Sequence, residues 1–563
     1  TAPRRSSPPV AKGAARTLFS LRMLLALTVA QADAPPGAAI ASAHPQATAA
    51  GFEVLEAGGN AFDAAVAVSA ALAVAEPAGS GLGGGGFWLL HRAADGRQVM
   101  LDGRERAPLA AHRDMYLDAE GRFVPELALD GPLAAGIPGE PAALVHLARE
   151  YGRLPLGRSL APAIRLARDG VLVDEGMRRL LTWRRDALAA SPAAAELFLD
   201  DGEVPQAGHR LRQPDLAATL ERLAAAGHEG FYAGETAERL VAGVRAAGGI
   251  WTLKDLEDYR VIEREPVTGR YRGWRIVSAA PPSSGGVLLV QMLNMLEALD
   301  IAATSGARRA HLLVEVMRRA YRDRARYLGD PDFVDIPLER LTHPFYAAGL
   351  TRDIRRDRAT PSTPGTARAG GESTTHFSVL DREGNRVAAT LSINYPFGSG
   401  FVAPGTGVLL NDEMDDFSAR PGVPNAYGLV GGAANAIAPG KRMLSSMTPT
   451  FAEAEQGVAL LGTPGGSRII TMVLQALLDL DAGAGPERIV ANARLHHQFL
   501  PDEIQFEPAA LDEAERATLE GLGHRLRPVA DGFGNLQAIY WDRAKGEVRA
   551  ASDPRGAGKA LVR

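Results

Sequence analysis

Gly370-Gly371-Glu372-Ser373-Thr374-Thr375-His376 is the stretch whose reading decides the fold, because the character of the chain changes across it. Upstream, residues 359–371 hold two prolines and three glycines and little that could pack. Downstream, His376-Phe377-Ser378-Val379-Leu380 alternates with the period of a strand, Arg382-Glu383-Gly384-Asn385 reads as a turn, and Val387 to Ile393 reads as the returning strand. With Gly384 at the hairpin centre, Thr374 falls opposite Asn394, with Ser392 close by. The expectation is a core hairpin that starts, directly after a mobile tether, on a residue carrying a hydroxyl. An ordinary hairpin after a loop has the same pattern, so the rest of the chain must decide whether Thr374 does chemistry.

Working outward, His44 to Glu76 reads as two helices, the first around Ala47 to Ala57 and stopped by Gly58-Gly59-Asn60, the second rich in alanine and valine and ending at Glu76-Pro77. Gly79-Ser80-Gly81-Leu82-Gly83-Gly84-Gly85-Gly86 contains a formal G-x-G-x-x-G, but it follows a helix and precedes the strand-like Phe87-Trp88-Leu89-Leu90. A dinucleotide site needs strand before helix, so a turn passing close to other backbone is the better reading. Val99 to Leu101 is a further strand and delivers Arg104-Glu105. From Gly139 to about Leu350 the pattern is mostly helical, including Pro162 to Asp169, Leu216 to Ala225, Ala237 to Ala247 and His311 to Tyr327. Tyr271 to Ala279 is expected as one strand, Val408 to Asn411 as another, and Val458 to Leu461 as a strand feeding the turn Gly462 to Ser467 and a helix from Arg468 to Leu480. Ser418 to Lys441, rich in glycine, proline and asparagine, is long for a loop without secondary structure and reads as a lid.

At 563 residues the chain exceeds one typical core, so two or three lobes or one large layered body are expected. A net charge of −5 argues against a nucleic-acid partner, and the absence of cysteine removes disulfides, thiolate metal sites and cysteine nucleophiles together. Arg4-Arg5 and Arg16 precede the apolar run Leu18 to Ala30, and Ala30-Gln31-Ala32 offers a cleavage site, so residues 1–34 read as a leader for export to the periplasm or the outside, with Met23 as an alternative start. No later stretch reaches the roughly 18 uninterrupted apolar residues of a membrane span.

The familiar catalytic sets are missing. There is no G-x-S-x-G elbow and no phosphate-binding G-x-x-x-x-G-K-[ST]. The adjacent residues His496-His497 point to different faces of either a helix or a strand and make a poor metal pair. The acids Asp412, Glu413, Asp415 and Asp416 share one turn, whereas a glycosidase pair needs carboxylates held about 5 Å or more apart. What remains is a hydroxyl nucleophile with its own base. If the Ser373–Thr374 bond is cut, Thr374 carries both Oγ and an α-amine that titrates near ~8 and can take the hydroxyl proton. Backbone N–H groups at Gly465-Gly466 can serve an oxyanion.

The blocks Ser373 to Val379, Asn394, Asn411 to Ser418, Pro421 to Gly432, Leu444-Ser445-Ser446-Met447 and Gly462 to Arg468 resemble the γ-glutamyltranspeptidase (glutathione hydrolase) family of N-terminal-nucleophile hydrolases. Gly58-Gly59-Asn60-Ala61, Leu82 to Phe87 and Arg104-Glu105 agree with it upstream, so the resemblance spans nearly everything after the leader. It implies an α+β, four-layer αββα sandwich built from two fragments of one precursor, a large subunit of residues 35–373 and a small catalytic subunit of residues 374–563. Thr374 is then the nucleophile of both self-cleavage and turnover, and Thr375 acts in maturation or holds the nucleophile. Ser392 stands where the family usually has threonine. Arg104, Ser445 and Ser446 would take the α-carboxylate of a γ-glutamyl donor; Asn394, Glu413 and Asp416 its α-ammonium; Tyr427 would sit at the tip of the lid. The partners implied are the two fragments themselves, a small γ-glutamyl donor, and water or an amino acid as acceptor, with no cofactor and no metal. Two alternatives stay open: a related amidase of the cephalosporin-acylase or poly-γ-glutamate type, and an unprocessed, non-catalytic binding protein.

Overall fold

The computed structural model describes residues 34–362, 374–420, 422–530 and 532–563. Two antiparallel sheets lie face to face in it. The first has seven strands in the order Lys559–Val562, Ala39–Ser42, Thr375–Leu380, Arg386–Ser392, Gly85–Arg92, Arg97–Gly103, Ile262–Arg264. The second has six, in the order Glu547–Ser552, Gln537–Asp542, Gly457–Gly462, Thr450–Ala454, Trp274–Ser278, Val267–Tyr271. Helices Pro45–Glu56 and Ala61–Ala75 cover the outer face of the first sheet; Gly285–Ala298 and Ile469–Asp481 cover that of the second. The expected four-layer αββα sandwich is therefore present, with strands from either side of Thr374 in both sheets.

Local chemistry explains the elements. Asn60 caps the Ala61–Ala75 helix by accepting from Phe62 and Asp63 N–H, while the Asp63 carboxylate accepts in return from the Asn60 N–H. That helix is apolar all round and accordingly buried all round, wedged between the sheet and the other outer helices. In the central hairpin, strand alternation sends Phe377 and Val379 to the helix-side core and Leu380 and Ala388 to the core between the sheets. A smaller core of Tyr116, Met414, Phe417, Ile437 and Met443 lies under the loops that follow Arg104 and Asp412.

The hairpin register differs from expectation. Leu391 pairs with Thr375, so Thr374 lies level with Ser392 and not with Asn394. The turn is centred on Glu383 because the Asp381 carboxylate accepts from the N–H groups of both Glu383 and Asn385 and closes a loop of its own. Tyr271 to Ala279 is broken by a turn at Arg272-Gly273 into the end of the strand Val267–Tyr271 and the whole of the strand Trp274–Ser278. Val408 to Asn411 forms isolated bridges to Gly83 and Val402 and not a strand, since its backbone bonds are divided between the loop residues Ser399, Phe401 and Thr406 and, at Asn411, Gly83. Among the described residues of Ser418 to Lys441 there is no strand and one short 3-10 helix, Ala433–Asn435, with an isolated bridge between Pro424 and Val430. Among the described residues no helix is long and apolar enough to cross a membrane.

Candidate active site

Thr374 directly precedes the strand Thr375–Leu380 and is only 7% exposed. Its Oγ1 lies 3.3 Å from Ser392 Oγ, which also accepts from Asn394 N–H at 2.7 Å. The neighbouring Thr375 hydroxyl donates to Glu76 Oε2 at 2.6 Å, and burial pushes that carboxyl up to about 7. The glycine run brings these strands together by having no side chains. A Cβ on Gly84 would stand 2.1 Å from the Ser392 carbonyl oxygen, and one on Gly83 2.0 Å from that of Leu409. Ser373 and the tether from residue 363 lie outside the described residues.

Arg104 leaves the end of the strand Arg97–Gly103 fully buried. Its Nη1 meets Glu413 Oε2 at 2.5 Å and its Nη2 meets Asp416 Oδ2 at 2.6 Å. These are charge-assisted contacts in a dry site. Asn411 sets that geometry: its side chain donates to the Gly83 and Gly136 carbonyls and accepts from the N–H of Gly136 and Glu413, fixing the acidic turn against the glycine run. Burial pushes Glu413 upward against the pull of Arg104, and pushes Asp415, whose partner is the Ala426 N–H, up to about 8. Asn394 adopts a left-handed φ of 72° and donates its amide to the Asp412 carbonyl.

The loop Ser418–Lys441 closes over this cluster. Tyr427 donates its hydroxyl to the Asn394 carbonyl at 2.7 Å, and its ring lies so close to Gly466 that a Cβ there would be 2.5 Å from Cδ1. Asn425 ties the loop to Asp416, and Gln498 donates to the Tyr427 carbonyl while accepting from Ser467 and facing His496. Thr374, Arg104, Asn394, Glu413, Asp416, Tyr427, Ser445, Ser446 and Gly466 all line one cavity. Gly465 lies behind it, at the start of the turn Gly466–Arg468. Water-sized space in the cavity amounts to about 20 Å³, little more than one water, because Arg104 reaches across to its two acids. Chemically this is a hydroxyl beside a closed cation–acid pair, suited to a ligand carrying both charges.

Sequence reasoning missed Asn411, Gln498 and the buried Arg324, which donates to Ser446 Oγ. Asn411 only opens a block whose assigned roles fall on Glu413 and Asp416, Gln498 sits in no motif, and an arginine in the last turn of a basic helix reads as a surface residue. Elsewhere, His496 bonds Thr471 and Gln498 whereas His497 faces Asp502. The described residues hold one group with ligand-type spacing, His311, Glu315 and His524. Its donors are already engaged: the two rings bond each other, and Glu315 accepts from Thr360 and Arg319. That favours a structural role over a metal.

The chain is similar to known proteins in both sequence and fold. The sequence pattern of the family described as Gamma-glutamyltranspeptidase matches residues 47–562. The glutathione hydrolase proenzyme of Pseudomonas sp. (strain A14) is 43% identical over 88% of this chain and 88% of its own. That of Escherichia coli (strain K12) is 42% identical over 92% of this chain and 90% of its own. Among solved structures, cephalosporin acylase from Bacillus halodurans superposes with a TM-score of 0.83 at 28% identity, covering 94% of this chain and 96% of the acylase.

Proposed function

Since the chain belongs to the gamma-glutamyltranspeptidase family, we propose that Thr374 is the nucleophile with which this self-processing γ-glutamyltransferase and glutathione hydrolase both cuts itself and turns over its donor. Cleavage between Ser373 and Thr374 leaves residues 374–563 as the catalytic fragment, its α-amine free to take the Thr374 hydroxyl proton. Oγ attacks the γ-carbonyl carbon, the backbone N–H groups at Gly465-Gly466 receive the oxyanion, and the leaving amine departs with a proton. Water or an amino acid then opens the γ-glutamyl ester. The Ser392 hydroxyl, within reach of Thr374 Oγ1 and fixing Asn394, holds the nucleophile in place.

The donor's zwitterion fits the Arg104 cluster by exchange. Its α-ammonium replaces Arg104 at Glu413 and Asp416, with Asn394 alongside, and releases the guanidinium to grip the α-carboxylate beside Ser445 and Ser446. The observation that carries this reading is the convergence of Thr374 with a cation, two acids and two hydroxyls from separate stretches on one cavity. The acylase likeness keeps a second reading alive, but a glutaryl group offers no ammonium to Glu413 and Asp416. Export to the periplasm or the outside follows from the pattern Arg4-Arg5 to Ala32. The test is a denaturing gel followed by an assay. Wild type should run as two fragments, the smaller beginning at Thr374, and Thr374→Ala should stay whole. Faster turnover of glutaryl-7-aminocephalosporanic acid than of γ-glutamyl-p-nitroanilide, or an intact and inactive wild type, would overturn the reading.

A further inference from the structure

Arg324 stands behind the Ser445-Ser446 wall, in the last turn of the Gly306–Tyr327 helix, and is 4% exposed. Its Nε donates to Ser284 Oγ at 2.9 Å and its Nη2 to Ser446 Oγ at 3.2 Å. The other buried arginines around the site have carboxylates: Arg104 has Glu413 and Asp416, and Arg442 has Asp102. Arg324 forms an ion pair with none among the described residues. A guanidinium offers five N–H donors, and a buried charge without a counter-charge is expensive to keep. The negative end of its own helix offsets part of that. Burial lowers its pKa against the pull of Asp416, yet a guanidinium stays protonated.

The hydroxyl protons complete the argument. Ser446 Oγ accepts from Arg324 and Ser445 Oγ accepts from Met447 N–H, so each hydroxyl has its own proton left to donate, and both residues line the cavity. Ser284 gives its proton to the Ser445 carbonyl, so it fixes that wall from behind. We propose that Arg324 is a positioning residue for the donor's α-carboxylate: it orients the Ser446 hydroxyl to donate into the cavity and supplies a positive charge that the carboxylate neutralises. This rests on the reading above that Ser445 and Ser446 receive that carboxylate.

The test compares three p-nitroanilides on the processed enzyme: γ-glutamyl, glutaryl (carboxylate without ammonium) and 4-aminobutyryl (ammonium without carboxylate). Arg324→Gln should raise KM for the first two by on the order of 10-fold or more while leaving kcat/KM for the third nearly unchanged. Arg324→Lys, which keeps the charge but not the two-sided contact, should show a smaller rise confined to the same two donors. Should the glutamine variant fail to fold, the lysine variant carries the same test. A loss shared equally by all three donors indicates a merely structural arginine and overturns the proposal, as does no loss at all. Wild type that accepts the 4-aminobutyryl donor as well as the γ-glutamyl one instead overturns the carboxylate reading of the Ser-Ser wall, and this proposal with it.

Discussion

At the scale of single residues, Ser392 and Asp415 make separate demands on the site. Ser392 has one hydroxyl serving two tasks, the contact to Thr374 Oγ1 and the bond from Asn394 N–H that stabilises a left-handed backbone. Ser392→Ala removes both and should slow self-cleavage and turnover by about 10- to 100-fold, whereas Ser392→Thr keeps the hydroxyl and should stay within a few-fold of wild type. The gel rate and kcat on γ-glutamyl-p-nitroanilide read both, and an alanine variant as fast as wild type would show that the contact is idle. Asp415 has a different consequence. Burial raises its folded pKa to about 8, above an unfolded value near ~3.9, so its contribution to stability is full below the unfolded value and is lost as pH rises toward 8. Asp415→Asn keeps an acceptor for Ala426 N–H but cannot ionise. Its melting temperature relative to wild type should climb between pH 5 and 8, by the equivalent of on the order of 1 kcal/mol or more. A difference that is flat across that range would mean the carboxyl ionises freely in the folded protein.

At the scale of elements, the glycine run is what lets three backbones meet. Gly84→Ala would drive a methyl into the Ser392 carbonyl oxygen, and overpacking of this kind costs about 1–3 kcal/mol. The strand Arg386–Ser392 would have to shift, taking Ser392 away from Thr374, so uncleaved precursor should accumulate; wild-type cleavage with an unchanged melting temperature would contradict this. The run itself was legible in the sequence because glycine after a helix and before a strand has few other uses. The hairpin was legible too, but its register was not: the side chain of Asp381, and not the position of Gly384, sets the turn centre. Val408 to Asn411 has the composition of a strand, and only the division of its backbone bonds between the preceding loop and Gly83 reveals that it is none. The nearness of Thr374 to Arg104 and Ser446 could be inferred from resemblance alone, since no local pattern encodes contacts between residues so far apart in the chain. Arg324 carried no signal, because burial of one face of an arginine-rich helix depends on what packs against it.

At the scale of the whole molecule, the two segments on either side of Thr374 share both sheets, and in the first an upstream strand is enclosed by downstream ones. Ala39–Ser42 from upstream lies between Thr375–Leu380 and Lys559–Val562 from downstream, paired to both. Before self-cleavage, finding that slot is an intramolecular search whose entropy is limited by the connecting chain; afterwards the same search is a bimolecular encounter. Thr374→Ala precursor should therefore refold from denaturant with a yield independent of concentration, and the processed enzyme with a yield that falls on dilution, provided both are kept below aggregating levels. Equal yields at every dilution would mean that one segment folds without the other. The slot between two downstream strands thus gives the molecule a history. With the cut proposed at Ser373–Thr374, the chain would be threaded once, as a single piece, and each active copy would endure by unfolding slowly and not by finding its way back.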